Sequence, residues 1–534
     1  MCGILSIIRY STTPTIVDIN KCHNKLIPRG PDKKNYVLIE QNPSIYLGFT
    51  RLSIMDTSDN GLQPFKTDKS NYSLCNGEIY EFEKLLVNRN IKIQSGCDCE
   101  IILPLYEKLG FEEMINCLDG EFAMVIFDEE NQVIYAARDR YGVRPLFYGW
   151  NTVTQSYGFA SELKALHDIM EYVEPLEPST FLCFNLKTKE LIQKQYYDYS
   201  LLNIPFVFSD SQYIKSQINN LLTLAVKKRL CADRPIGFLL SGGLDSSLIV
   251  AIACKLLGPE SITCFSIGLP NSPDVIASKI VANYLGITNH HIIPFDIDLG
   301  INLIEDVIRA TETYDITTIR ASVPQYIMAK YISENTNIKV LLSGEGSDEI
   351  HGSYRYFRDA PNSEEFHLET IRLLKELYMY DNLRTDRTMA AFGLEVRVPF
   401  LDFDYVKFIN KVDPKLLMYS EHSMEKYIIR SSFPEYLPNE ILYRSKEAFS
   451  DAVSSDDVNW FKSIQLNVNK KITKFDVENN PYTFNKPKTP DALFFRQIFN
   501  KLYPGRDNVI SHYWLPKFQL EEVNDPSATV LKCY

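Results

Sequence analysis

One stretch decides the fold of the second half of this 534-residue chain: Pro235-Ile236-Gly237-Phe238-Leu239-Leu240-Ser241-Gly242-Gly243-Leu244-Asp245-Ser246-Ser247. It opens with an apolar run, which is typical of a strand buried on both faces of a sheet. The glycines that follow let backbone N–H groups converge, and the helix expected next points its positive end at the same place. We therefore predict an anion cradle at 241–247 that suits phosphate. A plain strand-to-helix turn is the alternative.

Strand and helix patterns alternate on both sides of this turn. They predict strands at 262–267, 290–294 and 338–342, and helices at 211–230, at 274–285 and from the turn to 257. Such alternation indicates a doubly wound parallel sheet, whose ligands bind at the carboxyl ends of the strands. Beyond residue 364 the chain is expected to be mostly helical, with a polar tail.

A second glycine-containing turn, Ser343-Gly344-Glu345-Gly346-Ser347-Asp348-Glu349, follows the strand predicted at 338–342. Its three carboxylates repel one another, and burying them is costly unless a cation compensates the charge. A shared Mg²⁺ or a substrate cation would do so, and Asp245 in a phosphate site likewise calls for Mg²⁺. The alternative is a solvated acidic loop.

The first 200 residues have a different pattern, with short strands bounded by turn residues. We predict strands at 4–10, 45–52, 72–74, 122–127 and 133–138, and helices at 99–109 and 111–117. This pattern indicates mixed antiparallel sheet with a few helices, followed by a linker at 196–209. The chain is therefore expected to have two domains, 2–200 and 211–534.

Cys2 is a candidate nucleophile, although a lone cysteine is more often an inert small hydrophobe. Removal of Met1 would give Cys2 a free α-amino group with a pKa near neutrality, and this group can serve as the local base. Farther along, Asn76 and Gly77 offer an amide and a backbone N–H that suit an oxyanion hole. The same dipeptide is also the strongest signal for a type I′ hairpin turn, so both interpretations stay open.

Composition excludes several classes of protein. With 45% hydrophobic and 23% charged residues the chain is globular, neither disordered nor collagen-like, and its net charge of −12 argues against general nucleic-acid binding. The 11 cysteines favour free thiols in a reducing compartment, and the spacing of Cys97 and Cys99 is too tight for the usual zinc hairpin. No window is long and apolar enough for a membrane span, so we expect a cytoplasmic protein.

The motifs in their order resemble two families joined in one chain. The first half resembles the glutaminase domain of class II glutamine amidotransferases at Cys2-Gly3-Ile4, 29–32, 51–54, 76–80, 95–100 and 139–146. The second half resembles the ATP-pyrophosphatase domain of asparagine synthetases at 241–247, 312–322, 343–349 and 396–402, and its tail at 503–506 and 511–514 is similar to the eukaryotic type. The resemblance implies an αββα sandwich of antiparallel sheets, of the N-terminal nucleophile type, before the parallel-sheet domain.

For the first domain the resemblance implies glutamine hydrolysis. Cys2 would attack the amide carbon, Asn76 and Gly77 would stabilise the oxyanion, and Arg51 would pair with the α-carboxylate of glutamine. The α-ammonium would be held by Asp98. The remaining contacts would come from Leu52, Ser53, Ile54, Met55 and Glu78.

For the second domain the resemblance implies ATP-dependent synthesis of asparagine from aspartate through β-aspartyl-AMP. ATP and its pyrophosphate would be bound by Leu239, Leu240, Ser241, Gly242, Gly243, Leu244, Asp245, Ser246, Ile267, Ser343, Gly344 and Lys446. Asp245 and Asp348 resemble the Mg²⁺ carboxylates. Aspartate would react near Thr317, Arg320 and Glu345.

Two positions depart from the family pattern, and two other functions stay open. Pro28 stands where His is common, and Ser353 stands where a second Gly is common. Neither change removes a group with an assigned chemical task. Another amide- or lactam-forming synthetase on the same scaffold, or a catalytically silent binding protein, are the alternatives. A homodimer is implied by the resemblance alone.

Overall fold

The computed structural model describes residues 1–199, 206–419, 424–444, 453–454, 459–518 and 524–526. The chain divides into two compact units. The first comprises 1–198, 232–235 and 390–395, and the second comprises 199–231, 236–389 and 396–534. Part of the predicted linker, 200–205, lies outside the described residues.

The first unit is built on strands β1 to β12, with helices on the outside. The strands are β1 (Gly3–Arg9), β2 (Lys33–Ile39), β3 (Ser44–Arg51), β4 (Phe65–Lys66), β5 (Tyr72–Ile79), β6 (Gly120–Asp128), β7 (Val133–Arg138), β8 (Phe147–Asn151), β9 (Ser156–Ala160), β10 (Tyr172–Pro175), β11 (Thr180–Asn185) and β12 (Leu191–Gln195). The helices are α1 (Ile16–Asn24), α2 (Phe82–Arg89), α3 (Ile102–Leu109) and α4 (Phe111–Cys117).

These strands form two antiparallel sheets within residues 1–199, in the orders β10-β8-β9-β1-β3-β2 and β12-β11-β7-β6-β5-β4. An apolar core joins the sheets, with Ile4 and Leu47 from one and Leu74 and Val125 from the other. A second core packs α3 and α4 against the outer face of the second sheet, and α1 packs against β3. The predicted sandwich of antiparallel sheets is confirmed.

Strand β5 is longer than the sequence pattern predicted. It runs from Tyr72 to Ile79 and pairs with β6 along its length, so that Asn76 lies opposite Ala123 and Gly77 opposite Phe122. Asn76-Gly77 is therefore not a hairpin turn. A Cβ on Gly77 would lie 2.0 Å from the backbone oxygen of Glu121, which explains glycine in the middle of a strand.

The second unit is built on a sheet with helices packed around it. The strands are β13 (Ile236–Leu239), β14 (Thr263–Gly268), β15 (Asn289–Pro294), β16 (Val340–Leu342) and β17 (Glu395–Arg397). The helices are α5 (Ser211–Arg229), α6 (Leu244–Leu257), α7 (Pro273–Leu285), α8 (Ile297–Asn302), α9 (Ile304–Thr311), α10 (Ile316–Asn335), α11 (Ser347–His351), α12 (Ser363–Glu376), α13 (Asp381–Ala390), α14 (Phe403–Ile409), α15 (Tyr427–Ser432), α16 (Asn439–Leu442), α17 (Trp460–Val468), α18 (Lys474–Glu478) and α19 (Pro490–Leu502).

The sheet of the second unit has the order β15-β14-β13-β16-β17, and β13 to β16 run parallel. The strands predicted from the apolar runs are present, and the chain after residue 364 is mostly helical, as predicted. The short strand β17 within that region was not predicted. Because β13 and β16 are neighbours, the turns that follow them open at the same edge of the sheet. Among the described residues, no helix combines the length and the apolar character needed to cross a membrane.

Candidate active sites

Cys2 lies at the start of β1, where backbone and side-chain contacts fix its position. Its backbone N–H donates to Oδ1 of Asn76 at 2.8 Å, and its Sγ lies 3.7 Å from the carbonyl oxygen of Leu52. Nε of Arg29 donates to the Cys2 carbonyl at 2.8 Å, and Arg29 is itself paired with Glu162. The predicted nucleophile Cys2 is thus held rigidly beside β5, the strand that carries the predicted oxyanion donors Asn76 and Gly77.

The surroundings of Cys2 disfavour its thiolate. Burial raises the pKa of the Cys2 thiol to about 11, although the nearby N-terminal ammonium and the hydrogen bond to Leu52 oppose that shift. Met1 precedes it in a buried position, with its α-amino nitrogen 3.6 Å from Oε2 of Glu395, and burial lowers the pKa of that amine. A thiol in this state needs a base to take its proton before it can attack.

Asn76 has the geometry expected of an oxyanion donor. Its Oδ1 accepts a hydrogen bond from the Cys2 N–H, so its Nδ2 points away from the Cys2 nitrogen. Nδ2 is buried and has no hydrogen-bond partner among the described residues. A buried N–H₂ group without a partner is costly, and an oxyanion at this point would satisfy it.

Arg51 ends β3 and organises the loop that follows it. Its guanidinium donates to the backbone carbonyls of Met55, Asp56 and Ser58. The Ser53 N–H donates to Asp32, and the Ile54 carbonyl accepts from the backbone of residue 233. The predicted glutamine-binding residues 51–55 therefore form one tightly bonded loop next to Cys2.

Asp98 is brought to the same site from a different segment. It is buried, begins a short 3₁₀ turn (Asp98–Ile101), and its Oδ2 accepts the backbone N–H of Ile79 at 2.5 Å. Asp98 is thus hydrogen-bonded to the end of β5, which is the strand that carries Asn76 and the buried Glu78. The structure brings the predicted glutaminase residues together.

The turn predicted as an anion cradle at 241–247 lies between β13 and α6. Helix α6 begins after Gly243 without a side-chain cap, and the amino-terminal end of a helix favours an anion. The hydroxyl groups of Ser241 and Ser246 lie 3.0 Å apart and bond the backbone of the turn. Gly242 has φ +78° and no room for a Cβ, which would lie 2.5 Å from the backbone of Ser278.

The turn after β16 lies directly against this cradle. A Cβ on Gly344 would lie 2.7 Å from the backbone nitrogen of Ser246, so only glycine allows the two turns to approach this closely. Ser347 donates to Oδ1 of Asp245 at 2.8 Å, and the Ser353 hydroxyl donates to Oδ1 of Asp348. The carboxylates predicted on separate turns share one site.

A lysine that sequence reasoning missed lies between these carboxylates. Nζ of Lys426 is 2.7 Å from both oxygens of Asp245 and 2.7 Å from Oδ1 of Asp348. Its side chain is only 2% exposed. The like charges that the sequence analysis assigned to a metal or a substrate cation are compensated here by an ammonium group.

The two turns open into a cavity of about 220 Å³. Its walls include most of the residues predicted for ATP and aspartate: Leu239, Leu240, Ser241, Gly243, Leu244, Asp245, Ser246, Ile267, Thr317, Arg320, Ser343, Gly344, Glu345 and Asp348. Oγ1 of Thr317 is buried without a hydrogen-bond partner in the described part of the chain. Gly242 is absent from these walls, and Lys446 lies outside the described residues.

The guanidinium of Arg320 is engaged in a different way from the prediction. It pairs with the carboxylates of Asp491 and Asp525, and it stacks over Phe461 with its carbon 4.3 Å from the ring centre. Arg384, which sequence reasoning did not single out, donates to Oε1 of Glu345 at 2.7 Å. Arg384 therefore supplies the positive charge beside Glu345.

Both units match known families. Residues 1–199 match the family described as glutamine amidotransferase domain, and residues 217–368 and 358–523 match the family described as asparagine synthase. The chain is 57% identical over 548 residues to a protein of Acanthamoeba polyphaga mimivirus named "Probable asparagine synthetase [glutamine-hydrolyzing]", covering 99% of this chain and all of that protein. The chain belongs to the glutamine-hydrolysing asparagine synthetase family.

Animal members of the asparagine synthetase family are more distant but match over their full length. The Gallus gallus asparagine synthetase is 40% identical over 566 residues, and the Homo sapiens one is 38% identical over 567 residues. Each match covers 100% of this chain and 99% of the relative. The resemblance to the eukaryotic type of asparagine synthetase is thus confirmed.

Lys426 and Arg384 carry no local signal that marks them as site residues. Arg384 lies in α13 and Lys426 immediately precedes α15, and each is far along the chain from the glycine-rich turn whose carboxylate it contacts. Two or more carboxylates predicted at one sheet edge do require a nearby cation, and that requirement was the available signal. Mg²⁺ or a substrate cation was expected in that role, so the lysine was not predicted.

Proposed function

We propose that this chain synthesises asparagine from aspartate, with ATP as the energy source and glutamine as the nitrogen donor. One observation carries the proposal. A single chain of this family holds a half-buried Cys2 that orients Asn76 in one unit, and a glycine-rich turn suited to an anion that opens into a cavity in the other. These are the two centres that the coupled reaction needs.

In the first unit, Cys2 attacks the side-chain amide of glutamine after Met1 has been removed. The free α-amino group of Cys2 takes the thiol proton, which is necessary because burial keeps the thiol protonated. Asn76 Nδ2 and the Gly77 N–H stabilise the tetrahedral oxyanion. The proton passes to the leaving nitrogen, ammonia departs, and water hydrolyses the γ-glutamyl thioester to glutamate.

Glutamine is oriented by charges at both ends of its α-carbon. Arg51 pairs with the α-carboxylate and Asp98 with the α-ammonium, while the bonded loop at 51–55 and Glu78 complete the pocket. Hydrogen bonds to three carbonyls already fix the Arg51 guanidinium. This supports its role, because the side chain needs little further ordering when glutamine binds.

In the second unit, the β-carboxylate of aspartate attacks the α-phosphate of ATP. Pyrophosphate leaves into the 241–247 cradle, where backbone N–H groups and Ser246 receive its charge. Ammonia then attacks the β-carbonyl of β-aspartyl-AMP and displaces AMP. Glu345, Thr317 and Arg320 line the cavity around the reacting groups, and we expect Lys446 to contact the phosphates.

Mg²⁺ fits the residues present. Asp245 and Asp348 offer carboxylate oxygens, which Mg²⁺ prefers, and both lie 2.7 Å from the same ammonium group of Lys426, so they are close neighbours. Bound there with ATP, the ion would neutralise phosphate charge. Lys426 can exchange a carboxylate oxygen for a phosphate oxygen, because its ammonium group donates to either.

The finer assignments of the sequence analysis remain proposals. We propose a glutaminase domain at 2–200 and a synthetase domain at 211–534, a cytoplasmic location, and small molecules as the binding partners, without nucleic acid or membrane. Dimerisation into a homodimer is proposed on the family resemblance alone. Another amide- or lactam-forming reaction on this scaffold is the second candidate, because the ATP turns do not specify the acceptor.

The deciding experiment is a product assay with aspartate, ATP and glutamine that follows asparagine, AMP, pyrophosphate and glutamate together. Cys2→Ala should lose synthesis from glutamine and keep synthesis from added ammonia. Asp245→Asn should lose AMP formation and keep glutaminase activity. Synthesis from glutamine by the Cys2 variant would refute the nucleophile, and AMP release without aspartate would favour the other acceptor.

A further inference from the structure

Three thiols lie around Asp98 beside the glutamine pocket, and the proposed reaction does not use these thiols. We call this group the thiol cluster, and its members are Cys75, Cys97, Asp98 and Cys99. The ligand atoms of residues 97, 98 and 99 all lie within 4.8 Å of one another, and all three residues are buried. Cys75 lies on β5, and its thiol interacts with that of Cys99.

The contacts within the thiol cluster show that its groups face one another. Sγ of Cys97 is 3.7 Å from Oδ1 of Asp98, and Sγ of Cys99 is 3.8 Å from Oδ2. A hydrogen bond with the Cys75 thiol raises the pKa of Cys99, and a hydrogen bond with Cys99 raises that of Cys97. The three thiols thus form a chain around one carboxylate.

The fold, and not the local sequence, creates this arrangement. Cys97 and Cys99 are too close in sequence for the usual zinc hairpin, but Asp98 between them supplies a third ligand, and the Cys75 thiol of β5 interacts with Cys99 and is the candidate for the fourth. Three sulfur ligands and one oxygen suit a tetrahedral Zn²⁺-class ion. The exposed Gly96 immediately precedes the cluster, so the cluster lies just beneath the surface.

We propose that the thiol cluster binds a soft divalent cation such as Zn²⁺, and that its occupancy inhibits glutamine hydrolysis. Asp98 links the two events. As a metal ligand it would be withdrawn from the α-ammonium of glutamine, and it also holds the Ile79 N–H at the end of β5. The Cys99 thiol donates to the Gly77 carbonyl at 3.4 Å, so ligation of a metal by Cys99 would break its bond to the strand that carries Asn76. The inhibition part rests on the proposed function, whereas metal binding does not.

The test uses the full chain under oxygen-free conditions with a non-thiol reductant and chelator-buffered Zn²⁺. Glutamate release should fall as free Zn²⁺ rises and return on chelation, while ammonia-dependent asparagine synthesis by the same sample stays unchanged. Cys97→Ser and Cys75→Ser should each raise the Zn²⁺ concentration for half-inhibition by at least about tenfold. Cys117→Ser, which changes a half-buried thiol elsewhere in this unit, is the matched control and should not change it.

Co²⁺ binding gives a readout that does not depend on activity. The parent and Cys2→Ala should both develop thiolate-to-Co²⁺ absorption, and Cys97→Ser should lose most of it. Loss of the band in Cys2→Ala, equal inhibition of Cys97→Ser, or inhibition reversed by reductant and not by chelator would each overturn the proposal. A parent protein that develops the Co²⁺ band but has no glutaminase activity even after chelation has removed the metal would refute the proposed function and leave the metal site standing.

Discussion

Lys426 makes the synthetase site depend on one buried charge. Its ammonium group bridges Asp245 and Asp348, and its side chain is almost completely buried. We predict that Lys426→Met lowers the free energy of unfolding by about 3 kcal/mol, because the two carboxylates lose the ammonium group that compensates them. The Michaelis constant for ATP should also rise.

Mg²⁺ provides the sharper readout for this variant. If the two carboxylates can hold the ion, then Mg²⁺ should raise the melting temperature of Lys426→Met more than that of the parent protein. In a double variant that also carries Asp348→Asn, this additional rise in melting temperature should be absent. Equal Mg²⁺ effects in Lys426→Met and the parent would argue against the proposed metal ligands.

Ser353 departs from the family pattern, and in the structure its hydroxyl makes a hydrogen bond in the synthetase site. Its hydroxyl donates to Oδ1 of Asp348. Because a hydrogen bond to a charged group contributes about 1.5–3 kcal/mol, we predict that Ser353→Ala lowers kcat/KM of ammonia-dependent synthesis by about tenfold or more. Ser353→Gly should lose at least as much. Glutaminase activity measured on the same samples is the control, and unchanged synthesis would show that Asp348 is positioned without Ser353.

At the scale of elements, the contact between the two turns is the feature that a single methyl group would disrupt. In Gly344→Ala the new Cβ would meet the backbone of Ser246 at 2.7 Å and of Asp245 at 2.9 Å, and neither atom can rotate away. We predict a loss of about 1–3 kcal/mol of stability and of most ATP-dependent synthesis. Gly243→Ala, where a Cβ meets only the Ser241 hydroxyl at 3.3 Å, is the control for stability, measured by denaturant unfolding.

The elements that the sequence predicted are those whose pattern is local. The buried run before Ser241 and the alternation after it give the parallel sheet, and adjacent parallel strands then bring the two turns to one edge. The Asn76-Gly77 pair could not be resolved in this way, because strand or turn depends on pairing with β6. Lys426 was missed for the same reason, since its partners are brought to it only by the tertiary fold.

At the scale of the whole molecule, neutral histidines in both units predict how the chain responds to acid, with His23 and His351 buried and His290 half-buried. Burial lowers the pKa of His23 to about 3 in the first unit, and of His290 to about 4 and His351 to about 3 in the second. In the unfolded chain each has a pKa near ~6.5, so the unfolded state binds more protons below that pH. This contribution to stability is complete above about pH 6.5 and is lost as the pH falls toward the folded-state values.

The size of this acid effect can be measured one histidine at a time. At about pH 5 the titration of His23 alone should lower the free energy of unfolding by about 2 kcal/mol relative to neutral pH. The reason is that the unfolded chain takes up a proton that the folded chain excludes. His23→Gln keeps a hydrogen-bonding group near the Tyr46 hydroxyl, which lies 2.8 Å from Nδ1, and it removes the titration. Denaturant unfolding between about pH 5 and 7.5 should therefore show a shallower pH dependence for this variant than for the parent. His512→Gln, at a side chain that is 41% exposed, is the matched control. An unchanged slope in His23→Gln would mean that His23 is protonated in the folded chain or is not buried as described.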